Sequence, residues 1–151
     1  MHGLDISVVV PVRDEAGTLE ELAERVSAVA DAAGLALVEI LFVDDGSTDG
    51  SWDVIAGLAA REPRVRGLRL RRNFGKATAL DLGIRESRGA VIVTMDADLQ
   101  DDPDELPRFL AAMTDDVDLV SGWKQKRQDP LGKTLPSRFF NWVTARLSGV
   151  P

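Results

Sequence analysis

Two carboxylates, Asp96 and Asp98, stand two residues apart in the run Met95-Asp96-Ala97-Asp98-Leu99-Gln100, directly after the apolar stretch Ala90–Met95. In extended backbone, alternate side chains share a face, so both acids can point the same way. At close range two such charges repel by a few kcal/mol at intermediate dielectric, and a cation between them removes that cost. Hard carboxylate oxygens favour Mg2+ or Mn2+, and Mg2+ commonly takes one or two carboxylates plus the phosphates of a substrate. Gln100 adds a neutral carbonyl oxygen two residues further on. Capping of the next helix falls to Asp102, which leaves Asp96 and Asp98 for a metal.

Three more polar clusters follow apolar runs: Pro11-Val12-Arg13-Asp14-Glu15, Asp44-Asp45-Gly46-Ser47-Thr48-Asp49 and Arg71-Arg72-Asn73-Phe74-Gly75-Lys76. The Asp44–Ser47 acids suit base N–H or ribose hydroxyl contacts, and equally an Asx turn leading into a helix N-cap. Glu15 can reach the same ligand, or serve as a first-turn carboxylate favoured by the helix dipole. Arg71, Arg72, Asn73 and Lys76 precede a helix whose first N–H groups attract an anion, and they also suit a solvated basic turn. Lys124, Lys126, Arg127, Lys133 and Arg138 form a looser basic series, and Trp123 opens that segment.

These clusters need elements to hold them. Ile6–Val12 is a continuous apolar run, as in a strand covered on both faces. Further strands are expected at Leu37–Val43, Val65–Leu70, Ala90–Met95 and Asp118–Ser121. Helical periodicity covers Thr18–Ala33, with Leu19, Leu22, Val26, Val29 and Ala33 as its stripe and a capping box from Thr18 to Glu21. It recurs in Trp52–Ala60 (Trp52, Ile55, Ala56, Ala59), in Lys76–Glu86 (Ala77, Leu80, Ile84), after Asp102-Pro103, and in Pro136–Leu147. Alternating strands and helices imply a mostly parallel sheet with helices on both faces, and such sheets bind ligands beyond the carboxyl ends of their strands. All four clusters then fall on one edge. Residues 122–135 read as a long polar loop.

Composition removes other classes. The chain has 151 residues, 44% of them hydrophobic, 28% charged, and a net charge of −7, which describes one globular domain and not a general nucleic-acid binder. With no Cys and His2 as the single His, disulfides, thiolate zinc sites, cysteine nucleophiles and Ser-His-Asp triads are excluded. No apolar run approaches the ~18–20 residues of a membrane span, and the start lacks a signal peptide's apolar stretch, so a cytoplasmic chain is expected. Charge is banded: nine Lys/Arg against three Asp/Glu from 61 to 89, nine Asp/Glu against one Arg from 94 to 118, then six Lys/Arg against one Asp from 123 to 146. That order suits a site handling anions through a cation, and ordinary surface charge also produces it. There is no G-x-G-x-x-G after the first strand and no P-loop motif.

The segments VVVPVRDEAGTL, ILFVDDGSTDGS, LRRNFGKATALDLGI, VIVTMDADLQDDPDELP and DLVSGWKQKRQDPLGKTLPSRFFN, in this order, resemble the inverting family-two glycosyltransferases of GT-A fold. Within them the chain is similar to the polyprenyl-phosphate group, the relatives of dolichol-phosphate mannose synthase and of bacterial undecaprenyl-phosphate glycosyltransferases. The resemblance implies one GT-A domain over 1–151, holding the nucleotide and metal portion, with acceptor-side strands and membrane helices expected outside it. It implies that Pro11, Arg13 and Glu15 hold base and ribose, that Val43 and Asp45 contact the base, and that Lys124 contacts the nucleotide; Val12, between Pro11 and Arg13, and Lys76, at its helix start, are expected at the nucleotide as well. Asp96 and Ala97 are implied at ribose and diphosphate, Asp98 and Gln100 as ligands of Mg2+ or Mn2+ with Asp96 beside them, and Arg138 at the acceptor phosphate. Asp96, Asp98 and Arg138 are thus the expected catalytic set.

The resemblance further implies a UDP- or GDP-linked sugar as donor and a polyprenyl phosphate as acceptor, at the cytoplasmic face of a membrane, in the building of envelope glycans. Transfer to a saccharide hydroxyl, or nucleotide-sugar binding without turnover, are the alternative expectations.

Overall fold

The computed structural model describes residues 5–122. Strand β1 (Ile6–Val12) leads to helix α1 (Leu19–Ala32), β2 (Leu37–Asp44), α2 (Ser51–Arg61), β3 (Val65–Arg69), α3 (Lys76–Glu86) and β4 (Val91–Thr94). A 3-10 turn at Pro103–Glu105 and helix α4 (Leu106–Ala112) complete the described elements. All lie in one compact unit that ends at Val120. The expected helix over 136–147 and most of the 122–135 loop, with Trp123, Lys124 and Arg138, fall outside the described residues.

The four strands form one parallel sheet in the order β3-β2-β1-β4. The chain therefore runs outward from β1 through β2 to β3 and then returns to the other side of β1. The ends of β1 and β4 flank that switch of direction, where open parallel sheets leave a crevice for ligands.

β1 and β2 are apolar without alternation because both their faces are covered. One face packs Val8, Val10, Val12, Ile40 and Phe42 against Leu19, Leu22 and Val26 of α1, Ile55 and Leu58 of α2, and Leu106 of α4. The other packs Val9, Leu41 and Val43 against Ala79 of α3. Helices on both faces are as expected.

Several local expectations change. The buried stripe of α2 is Ser51, Ile55 and Leu58, and Ala56 and Ala59 are exposed. In α1, Ala33 is exposed and Ala23 and Ala30 are buried instead. In α3 the buried residues are Ala79 and Gly83, while Ala77 and Ile84 face outward. The reason is distance: a Cβ on Gly83 would stand 2.4 Å from Val9 Cγ1, so this helix lies too close to the sheet for a large side chain and buries its smallest residues. The capping box does not form. Thr18 makes no side-chain cap of α1: its backbone is helical, φ −114 and ψ −19, where a capping residue is extended, and its hydroxyl is turned to the carbonyls of Glu15 and Ala97, at 3.0 and 2.6 Å. Asp118–Ser121 is not a strand: among the described residues the sheet stops at β4, and Leu119 is 83% exposed with no ladder to join.

Candidate active site

The carboxyl ends of all four strands contribute to one cleft of about 310 Å³, lined by Pro11, Val12, Arg13 and Glu15 after β1, Asp45 after β2, Asn73, Gly75 and Lys76 after β3, and Asp96, Ala97 and Asp98 after β4. Four clusters separated in sequence meet because a parallel sheet sends every strand the same way.

Each rim segment is fixed by its neighbour. Arg13 donates to the carbonyls of Asp45 and Gly46, both at 2.7 Å, strapping the end of β1 to that of β2. The backbone N–H groups of Asp14, Glu15 and Ala16 donate to Ser47 Oγ, Ser51 Oγ and Asp49 Oδ2, each at 3.0 Å. Asp14 adopts a left-handed backbone at φ 53, held by its carboxylate, which accepts from Thr48 N–H at 2.7 Å. The Ser51 hydroxyl, with the Ala16 N–H, keeps the Asp49 carboxyl below its usual value.

The Asp45 carboxylate is 4% exposed and accepts from the N–H groups of Phe74 and Gly75 at 2.7 and 2.9 Å. Gly46, at φ 68, presses against the same turn: a Cβ there would lie 2.5 Å from the Arg72 carbonyl carbon. The Asx turn expected at the end of β2 is present, with Ser47 N–H on Asp44 Oδ1 at 3.0 Å. The Asp44 Oδ2 atom is buried without a hydrogen-bond partner, and Arg69 Nε lies 3.6 Å away.

At the end of β4, Asp96 N–H donates to Asp101 Oδ2 at 2.8 Å and Gln100 N–H to Asp98 Oδ1 at 3.0 Å. Leu99, between them, sits at φ 61 with its side chain packed on the core. A leucine in this conformation is strained, and the packing and the turn around it hold it there. Thr18 ties the Ala97 carbonyl to the start of α1.

Lys76 Nζ lies 2.5 Å from Asp96 Oδ1. On the other side of the cleft, burial pushes the Glu15 carboxyl above its usual value, and the negative charges of Asp98, Asp49 and Asp14 push in the same direction. The acids of this rim therefore repel one another, which is the environment a divalent cation relieves.

The cleft contains most of the residues expected from the sequence, with two exceptions among those described. Val43 is fully buried in the core against α3, so its side chain does not line the cleft. Val43 lies within β2 and packs on the face covered by α3, whereas Asp45 lies past the strand's last residue, in the turn that lines the cleft. Gln100 is exposed and outside the cleft lining, although its backbone N–H is held by the Asp98 carboxylate. Thr18, Asp49 and Ser51 support the rim in ways that sequence reading did not assign. Their contacts join loops 33 to 79 residues apart, and no local pattern encodes them.

The donor set suits Mg2+ or Mn2+. Asp96 and Asp98 offer hard oxygens, and no group of three or more His, Cys, Asp or Glu suited to hold a metal occurs among the described residues. Two carboxylates at an open cleft would leave the larger part of such an ion's coordination to ligand phosphates and water.

Solved structures of similar shape include a mannosyltransferase from Pyrobaculum calidifontis in complex with GDP-Man and Mn2+ (28% identical, TM-score 0.57, covering 65% of this chain and 28% of that one). They also include glucosyl-3-phosphoglycerate synthase from Mycobacterium tuberculosis with Mn2+, UDP and phosphoglyceric acid (24% identical, TM-score 0.58, covering 72% of this chain and 38% of that one). The fold is that of the GT-A glycosyltransferases.

Residues 7–148 match the family described as Glycosyl transferase family 2, and the chain belongs to that family. Among similar curated proteins are the undecaprenyl-phosphate 4-deoxy-4-formamido-L-arabinose transferases of Shewanella sediminis and Pseudomonas aeruginosa. Each is 38% identical over 146 residues, or 96% of this chain. The chain spans less than half the length of these relatives, 44% and 43%.

Proposed function

We propose that this chain is the donor-binding portion of a metal-dependent inverting glycosyltransferase that moves a sugar from a UDP- or GDP-linked donor to a polyprenyl phosphate. The observation that carries the reading is the meeting of Asp96, Asp98 and Lys76 at the β1/β4 switch point, in a cleft walled by the ends of all four strands. The names of the curated relatives support the acceptor class.

In this reading Pro11, Val12, Arg13, Glu15 and Asp45 form the wall that receives base and ribose. Val43 supports that wall from the core, and Ala97 lies under the diphosphate. Asp96 and Asp98 would hold Mg2+ or Mn2+, with Gln100 on the adjoining turn, and a divalent cation held there would neutralise charge on the departing diphosphate. Lys76 adds a fixed positive charge to the same region. An acceptor phosphate oxygen forms a bond to C1 of the sugar from the opposite face. The C1–O bond to the diphosphate breaks, and its electron pair leaves with the nucleoside diphosphate. A phosphate monoester is largely ionised near neutral pH, so no general base has to take a proton from it. Lys124 at the nucleotide and Arg138 at the acceptor phosphate, both outside the described residues, complete the proposed set.

No helix among the described residues is long and apolar enough to cross a membrane. We assign the reaction to a membrane surface because the proposed acceptor is a lipid, and to its cytoplasmic face because the family resemblance implies it.

Titration calorimetry with UDP and GDP, with and without Mn2+, tests the reading. Mn2+ is expected to strengthen nucleotide binding by roughly 10-fold or more, the scale of a charge-assisted contact. Asp98→Ala is expected to remove that gain and leave thermal stability within a few degrees. A Mn2+ effect that survives Asp98→Ala overturns the metal assignment.

A further inference from the structure

The cleft already contains a cation. Lys76 is the first residue of α3 and Asp96 the second after β4, and their side chains form an ion pair of 2.5 Å across the cleft. Both are set from fixed backbone. The N–H of Gly75, next to Lys76, is held by Asp45 Oδ2 at 2.9 Å and Asn73 Oδ1 at 2.8 Å, and the N–H of Asp96 is held by Asp101. The lysine side chain is 59% exposed and the aspartate 35% exposed. Such a pair contributes little to folding and exchanges easily. Unlike the guanidinium of Arg13, tied to two carbonyls, the Lys76 ammonium has no other partner among the described residues.

An ammonium on Asp96 Oδ1 and a divalent cation on the same carboxylate compete, because the positive charges repel at this distance and share one negative charge. We propose that Lys76 is the resident counter-cation of Asp96. It competes with the divalent cation for that carboxylate and gives way when a diphosphate arrives to receive the ammonium. This rests on the metal reading above. Its consequence is coupling: the metal alone binds weakly, the nucleotide strengthens it, and by linkage each ligand strengthens the other by the same factor.

The test is Mn2+ affinity of the full 151-residue chain, measured by calorimetry or by electron paramagnetic resonance of free Mn2+, without nucleotide and with UDP or GDP. Lys76→Met is expected to bind Mn2+ alone roughly 5-fold more tightly than wild type, the scale of an exposed ion pair. The factor by which nucleotide strengthens Mn2+ binding is expected to fall by at least as much. Lys76→Arg, which keeps the charge, is expected to restore wild-type behaviour on both measures. A purely structural role for Lys76 would weaken Mn2+ binding, not strengthen it. Equal or weaker Mn2+ binding by Lys76→Met overturns the proposal. If Asp98→Ala loses Mn2+ while Lys76→Met matches wild type, the competition fails and the metal site stands. If wild type binds no Mn2+ even with nucleotide, both fall together.

Discussion

The carboxylate of Asp45 joins the end of β2 to the turn before α3, accepting from the N–H groups of Phe74 and Gly75. A residue expected at the nucleotide base is thus also the clamp that shapes the neighbouring wall of the cleft. Both its oxygens are committed to that turn, and each retains a lone pair for a ligand.

Asp45→Asn replaces one acceptor by an NH2 group that faces a backbone N–H. The expected result is a loss of about 1–3 kcal/mol in stability, the cost of an unsatisfied buried donor. Nucleotide affinity is expected to drop at least 10-fold as the turn moves. Urea unfolding and calorimetry measure the two effects. Intact stability with lost nucleotide affinity would mean that Asp45 acts through the ligand alone.

Gly46→Ala probes the contact behind the clamp. The new Cβ would lie 2.5 Å from the Arg72 carbonyl carbon, at a backbone φ of 68. Backbone cannot give way as a side chain can, so a cost of about 2–4 kcal/mol is expected from strain and overpacking. Thermal unfolding should show a fall in Tm of roughly 5–15 °C. A Tm within about 2 °C of wild type would refute the close approach of the two loops.

Glu39 supplies a pH test far from the cleft. It is 2% exposed, accepts from Ser7 Oγ at 2.8 Å and Arg88 N–H at 2.6 Å, and pairs with Arg66. Burial alone would raise its carboxyl, but the bonds from Arg66, Ser7 and Arg88 outweigh burial and hold it below the usual value. The unfolded chain therefore takes up this proton first as pH falls. The stabilisation is complete above the ordinary glutamate value and is lost as pH drops through the lower folded value. Glu39→Gln is expected to cost about 1–3 kcal/mol at pH 7, with a difference from wild type that shrinks toward pH 3. A difference that stays constant over that range would refute the ionised state of Glu39 in the fold.

The sequence by itself determined the strand–helix alternation, because buried parallel strands must be apolar throughout and ISVVVPV and LVEILFV are nearly so. It also determined that the acids and bases of the site fall at strand ends, since one parallel sheet carries every such end to one edge. Asp96, Asp98, Glu15, Asp45 and Lys76 were all legible in this way. Tertiary structure alone decided which face of α3 is buried, because the spacing of that helix from β1 is set by Gly83 against Val9 and small residues leave no hydrophobic signal. It alone buried Val43 in the core and left Gln100 outside the cleft lining. The pairing of Lys76 with Asp96 was likewise invisible in sequence. It joins residues 20 apart that come within reach only when β4 returns to lie beside β1.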